Sequence, residues 1–271
     1  MPRYRRYIDA ETAEKFLKEG RGQGRGKDYQ PYLKVTDFPS DGRSYRPVGL
    51  KTGREHECFS TEEFHEFLIE EWSDDVVDLR EQFPLLPLSE TMQLAERHKL
   101  KHPTHPYTHK PVVMTTDLLL TIKQDKTTIE VARAIKLTKD LNSRRTQVKL
   151  EIEALYWDAR HVDWGIITER DISKDYAENI RVLRTYRTIA DRVSLSQQDI
   201  DDIVQYLLQL VTSGTVSLAA ATASCDRALG YERGTSLTVA HHLLATKRWH
   251  IDLYQPFEPE KPFRLLDYSK P

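Results

Sequence analysis

The run Val112-Val113-Met114-Thr115-Thr116-Asp117-Leu118-Leu119-Leu120 decides the fold class. Its apolar and β-branched residues predict a buried strand, and a single charge interrupts it. A carboxylate among Val112, Met114, Leu118 and Leu120 must be paired or metal-bound to offset the cost of leaving water. Downstream, Thr128 to Lys136 predicts a second strand closing on a lysine. Asn142 to about Arg160 then predicts a long helix and Trp164 to Thr168 a further strand. A strand, strand, helix, strand series with few turn residues points to an α/β domain.

Upstream, Ser60-Thr61-Glu62-Glu63 reads as a helix start that runs to Trp72, with Phe64, Phe67, Leu68 and Trp72 as its apolar stripe. Glu63 occupies the capping-box position. Local sequence leaves two roles open for it, closing the box or facing a cation, and a carboxylate spent on the helix backbone is not aimed at a metal. Val76 to Leu85 predicts another buried strand. Two separated carboxylates, Glu63 and Asp117, with Lys136 can assemble a magnesium site beside a phosphate, because hard oxygens hold the ion and the ammonium neutralises charge. The pattern points to a metal-dependent nuclease.

A net charge of -2 over 271 residues conceals segregation: Met1 to His56 carries thirteen Lys/Arg against eight Asp/Glu, and Glu57 to Glu90 eleven acids against one Arg. Arg21, Arg25, Lys27, Arg43 and Arg54 in the basic arm are candidate contacts to a DNA backbone. A near-neutral chain holds DNA weakly alone, which argues for a partner that delivers it. Two cysteines exclude a disulfide framework and no apolar run approaches a membrane span, so a cytoplasmic setting is expected.

Two tempting motifs fail on spacing. Gly20 to Gly26 lacks the preceding strand and the lysine of a phosphate loop, and is expected to be a flexible basic connector. His98, His102, His105 and His109 are separated by two prolines with no cysteine, so a polar loop is favoured over zinc. Short strands are expected at Tyr32 to Val35, Ser44 to Val48 and His56 to Ser60, with Lys51-Thr52-Gly53-Arg54 as a turn. Beyond about Asp171 the chain turns helical: helices over Ser196 to Val211, Ser217 to Leu229 and Ser236 to Thr246 precede strands at Trp249 to Tyr254 and Phe263 to Leu266. Three helices and a hairpin suggest a winged helix in a second domain, 171–271, although the third helix has few donors for DNA.

The strings Lys18-Glu19-Gly20-Arg21-Gly22-Gln23-Gly24, Lys27-Asp28-Tyr29, Lys51-Thr52-Gly53-Arg54, Glu71-Trp72, Arg80-Glu81-Gln82-Phe83-Pro84-Leu85-Leu86-Pro87, Lys101-His102-Pro103, Thr116-Asp117, Arg145-Thr146, Lys149-Leu150-Glu151 and Tyr156-Trp157 resemble the TnsA family. These are endonuclease subunits of heteromeric cut-and-paste transposases. The resemblance is dense from Ile8 to about Asn179. It implies a restriction-endonuclease-like domain over 1–170, a winged-helix domain over 171–271, and cutting of the transposon's 5′ ends while TnsB cuts and joins the 3′ ends. It also implies TnsC as a regulatory partner and magnesium as cofactor, with manganese able to replace it. Glu63 and Asp117 take the family's ligand positions, Lys136 that of its catalytic lysine, and the Ile135 carbonyl can add a main-chain ligand. Two residues before the lysine the family places Gln or Glu, whereas this chain has Ala134. That departure supports a rival expectation, a weakened or inactive subunit that scaffolds TnsB and TnsC. Glu130, on the same strand face, is the residue weighed as a replacement, at an offset of roughly 13 Å.

Overall fold

The computed structural model describes Ile8, residues 10–37 and residues 43–268. The start of the basic arm, Met1 to Tyr7, and Asp9 lie outside the described residues. The chain divides into two compact units, Met1–Ile172 and Ser173–Pro271. No described helix is long and apolar enough to cross a membrane.

The first unit is built on a four-stranded sheet in the order β1 (Val76–Pro84), β2 (Thr115–Gln124), β3 (Thr127–Ile135), β4 (Asp163–Ile167), the first two pairings antiparallel and the last parallel. Its helices are α1 (Ala10–Lys18), α2 (Thr61–Trp72), α3 (Leu88–Arg97) and α4 (Arg144–Asp158). Alternation divides β2: Leu119, with Ala132 of β3, joins a core with Ile152, Tyr156 and Trp157 of α4. Leu118 points the other way and shares a cleft with Phe67 of α2. Covered on both faces, the strand reads as the near-continuous apolar run seen in the sequence. Parallel pairing of β3 and β4 requires the crossover that α4 supplies.

Several local expectations are corrected. Tyr32 to Val35 is no strand; a 3-10 turn forms at Val35–Asp37. The segments Ser44 to Val48 and His56 to Ser60 meet only through isolated bridges, Tyr45 to Cys58 and Val48 to Glu55. The glycine-rich stretch is no loose connector but a cap on the outer edge of β1. Gly26 N–H donates to the Asp78 carboxylate at 3.1 Å, and the Tyr32 amide to the Gln82 carbonyl at 3.3 Å. At Gly22, φ 76°, a Cβ would stand 2.4 Å from Pro84 Cγ, so glycine alone lets the loop approach. Covering the β1 edge removes a strand-pairing hazard.

The second unit holds α5 (Lys174–Leu183), α6 (Gln197–Val211), α7 (Leu218–Leu229), α8 (Thr235–Ala245) and a ribbon of β5 (Trp249–His250) with β6 (Asp267–Tyr268). Helix α6 opens on a full capping box, Ser196 with Asp199, and α7 stops at Gly230 with φ 77°. The expected strand at Phe263 to Leu266 falls short: pairing begins only at Asp267, and Phe263 is instead buried against Trp249.

Candidate active site

Asp117 lies where β2 parts from both neighbours. The β2–β3 ladder is regular from Gln124 to Leu118 and stops one residue short of it. The Ile135 amide, freed from that ladder, donates instead to Asp117 Oδ2 at 2.7 Å. On the other side, Glu81 pairs with Leu118 and Phe83 with Thr116, and the intervening Gln82 takes φ 49°. Its carbonyl thereby faces the loop that caps β1. Backbone irregularity on both sides thus opens the sheet at one carboxylate.

The Lys136 ammonium fills this opening. It donates to Asp117 Oδ2 and to the Ile135 carbonyl at 2.9 Å, while its own amide is held by the Ile167 carbonyl at 3.0 Å. Burial pulls this lysine down, but the charges of Asp117, Glu153 and Glu63 outweigh it and the net shift is upward. The oxygens expected to hold a cation therefore already converge on one, which shows that the donor set suits a positive charge.

Glu63 answers the question left open by its position. Ser60 Oγ accepts from the Glu63 amide at 3.1 Å, and Glu63 Oε2 accepts from the Phe59 amide at 3.0 Å, one residue before the usual box partner. Gln82 Nε2 adds a contact to Oε2 at 3.4 Å, and Thr115 Oγ1 donates to Gln82 Oε1 at 3.1 Å. Capping and siting do not conflict, because Glu63 also lines the cleft with Asp117, Leu118 and Ile135. Burial first, then the Asp117 charge, raises its pKa to about 7, against the lowering pull of the Phe59 amide and Lys136.

Glu153 of α4 is a residue that the sequence reading missed. Its Oε1 accepts from Thr116 Oγ1 at 2.8 Å and Trp164 Nε1 at 3.1 Å, and it is 4% exposed. Burial and then Asp117 raise its pKa to about 7, while Lys136 lowers it. A carboxylate on the inner face of a helix otherwise carrying Leu150, Ile152 and Tyr156 was the available signal.

Ala134 is fully buried, continues the register opposite Asp117 and shares the face of Ala132, toward α4. It is not among the residues lining the α2-side cleft. Glu130 is no replacement, since its Oε1 is taken by Arg80 at 2.6 Å and Arg25 at 2.8 Å. As the carboxylates stand, among the described residues no three of His, Cys, Asp or Glu are grouped to hold a metal. Each of these acids, Asp117, Glu63 and Glu153, is occupied by a protein donor.

The candidate DNA contacts separate by burial. Arg54 donates through both Nη atoms to Glu81 at 2.7 Å each and to the Leu79 carbonyl at 2.7 Å; its side chain is 9% exposed. With His56, it overcomes the desolvation of Glu81 and lowers that pKa to about 2. Arg21 pairs with Asp37 at 2.6 Å and Glu19 at 3.0 Å and stacks on Phe16. Both side chains are largely buried and paired within the fold. Arg25, Lys27 and Arg43 are exposed. In the histidine loop, His102 bonds Thr91 and the Pro103 carbonyl, and His105 accepts from the amides of Tyr107 and Thr108.

Residues 73–169 match the family described as TnsA-like endonuclease N terminal, and residues 171–253 match TnsA endonuclease C terminal. The chain is similar to the Transposon Tn7 transposition protein TnsA of Escherichia coli, 37% identical over 245 residues, spanning 90% of this chain and 87% of that protein.

Proposed function

Because the chain belongs to the TnsA endonuclease family, we propose that it is a metal-dependent DNA endonuclease that cuts the 5′ ends of a transposon. It acts in the cytoplasm with TnsB on transposon-end DNA and with TnsC as regulator. The single observation that carries this reading is the convergence of Asp117 Oδ2 and the Ile135 carbonyl on one cation, flanked by Glu63 and Glu153. Magnesium, or manganese in its place, would be held by Asp117, Glu63, Glu153 and the Ile135 carbonyl, and would supply Lewis-acid stabilisation and an activated water. All four are hard oxygen donors, which is the set such an ion requires.

Lys136 would present its ammonium to the non-bridging oxygens of the scissile phosphate, where negative charge grows. Gln82 and the Phe59 amide hold Glu63 in place, and Thr116 with Trp164 do the same for Glu153. Arg25, Lys27 and Arg43 contribute backbone contacts. The mixed sheet with carboxylates where its strands part fits a restriction-endonuclease-like domain. Helices α6 to α8 with the β5–β6 ribbon fit a winged helix, whose donor-poor α8 suits docking to TnsC better than reading DNA. The scaffold-only reading rested on Ala134; Glu153 supplies the carboxylate that this position lacks.

The test is strand cleavage on supercoiled transposon DNA with TnsB and magnesium. Wild type should release 5′ ends, and Asp117→Asn, which keeps the shape and an acceptor for the Ile135 amide, should not. Equal cutting by the two would sink the site assignment.

A further inference from the structure

Helix α4 enters the site with an order of charges that the reaction described above leaves unused. Arg145, Lys149 and Glu153 are spaced four residues apart, so they stand on one face of the helix, about 6 Å of rise between successive positions. Glu153 anchors the inner end through Thr116 and Trp164. Exposure grows outward along the stripe: Glu153 is buried, Lys149 half-buried and Arg145 exposed. Lys149 lies within the fields of Lys136, Asp117 and Glu153 as well as that of Arg145.

Burial, then the like charges of Arg145 and Lys136, push the Lys149 pKa down. Arg144 and Arg145 occupy the first turn of α4 with no acid there; α7 and α8 also lack one, whereas α1, α2, α3, α5 and α6 each place an acid in that turn. Cations at a helix N-terminus oppose its dipole. Three cationic side chains and a helix N-terminus thus gather on the approach to buried carboxylates, and an anion threaded along them relieves each of these costs at once.

We propose that Lys149 and Arg145 form a phosphate track that holds the DNA strand to be cut, Lys149 on the phosphate next to the scissile one and Arg145 on the phosphate beyond. The proposal rests on the endonuclease reading and adds which helix positions the substrate. Lys149 and Arg145 are positioning residues; Lys136 faces the reacting phosphate.

The experiment uses the full chain with TnsB and transposon-end duplexes carrying one methylphosphonate, a neutral phosphate replacement, at single positions of the 5′ strand. Lys149→Gln should raise KM on the order of tenfold, with a smaller change in kcat and an unchanged magnesium midpoint, and Lys149→Arg should restore most of the loss. One methylphosphonate position should slow wild type by a similar factor and add nothing in Lys149→Gln; the neighbouring position should behave so with Arg145→Gln. Binding to the same duplex in calcium gives an independent reading, in which each neutral variant lowers the slope of log affinity against log salt by about one. Losses that multiply at every methylphosphonate position, or an unchanged salt slope, overturn the track. Wild type that binds with these slopes yet leaves the 5′ strand uncut while TnsB cuts the 3′ strand overturns the endonuclease reading and supports the track.

Discussion

Replacing Glu153 with glutamine separates what this residue costs the fold from what it gives the site. The carboxylate titrates at about 7 in the folded chain against an ordinary 4.5. Each pH unit between them is ~1.4 kcal/mol, so keeping Glu153 ionised costs the fold about 3 kcal/mol. Between those two values the folded chain holds a proton that the unfolded chain has lost. Stability from this group is therefore present at low pH and falls as pH rises through the window. Glutamine carries no titrating proton and removes that slope. Its carbonyl can still accept from Thr116 and Trp164, but its amide group replaces an oxygen and, left without an acceptor, costs ~1–3 kcal/mol. The variant should thus be less stable than wild type at pH 5 and equal to it, or up to ~2 kcal/mol more stable, at pH 8. Glu63 retains its own slope, since it also titrates at about 7. Urea midpoints of the full chain at the two pH values, read from Trp fluorescence, provide the measurement. Cleavage by the variant at pH 8 should be lost despite the gain in stability. A midpoint that tracks wild type across the whole range would refute the reasoning, since Glu153 would then titrate normally and stand outside the site.

Lys136→Met should abolish cutting while tightening magnesium binding, because the ammonium competes for the oxygens of Asp117 and Ile135; calorimetry showing weaker binding would make the lysine structural. Ala134→Glu should lower the melting temperature without magnesium, since a charge enters a fully buried position at a cost of ~2–3 kcal/mol. Added magnesium should recover part of it, and a variant indifferent to the ion would show that position 134 does not reach the site. Arg54→Ala strips the bidentate partner from buried Glu81 and should cost ~3–5 kcal/mol. Its folded fraction should bind DNA as wild type does; a weakened fraction with unchanged stability would return Arg54 to the DNA surface.

The sequence alone determined α2 with its Ser60 cap, β1 to β4, and the helices α4 and α6. These follow from local rules, burial patterns and capping chemistry that each segment carries within itself. It also singled out Asp117, because a lone charge in an apolar strand is costly wherever the strand packs. Tertiary structure decided the rest. Gly20 to Gly26 has a connector's composition, and only the tertiary fold seats it on the edge of β1, where the Gly26 amide meets Asp78. Arg21 and Arg54 look like any basic surface residue until Asp37 and Glu81 meet them across the fold. The strands read at residues 44–60 and 263–266 were weak because short segments depend on what they pair with. Glu153 stands 36 residues beyond Asp117 in the chain, and nothing in that interval places the two carboxylates together. The crossover of α4 brings them there, because a parallel β3–β4 pair forces the helix back across the sheet at the point where β2 opens.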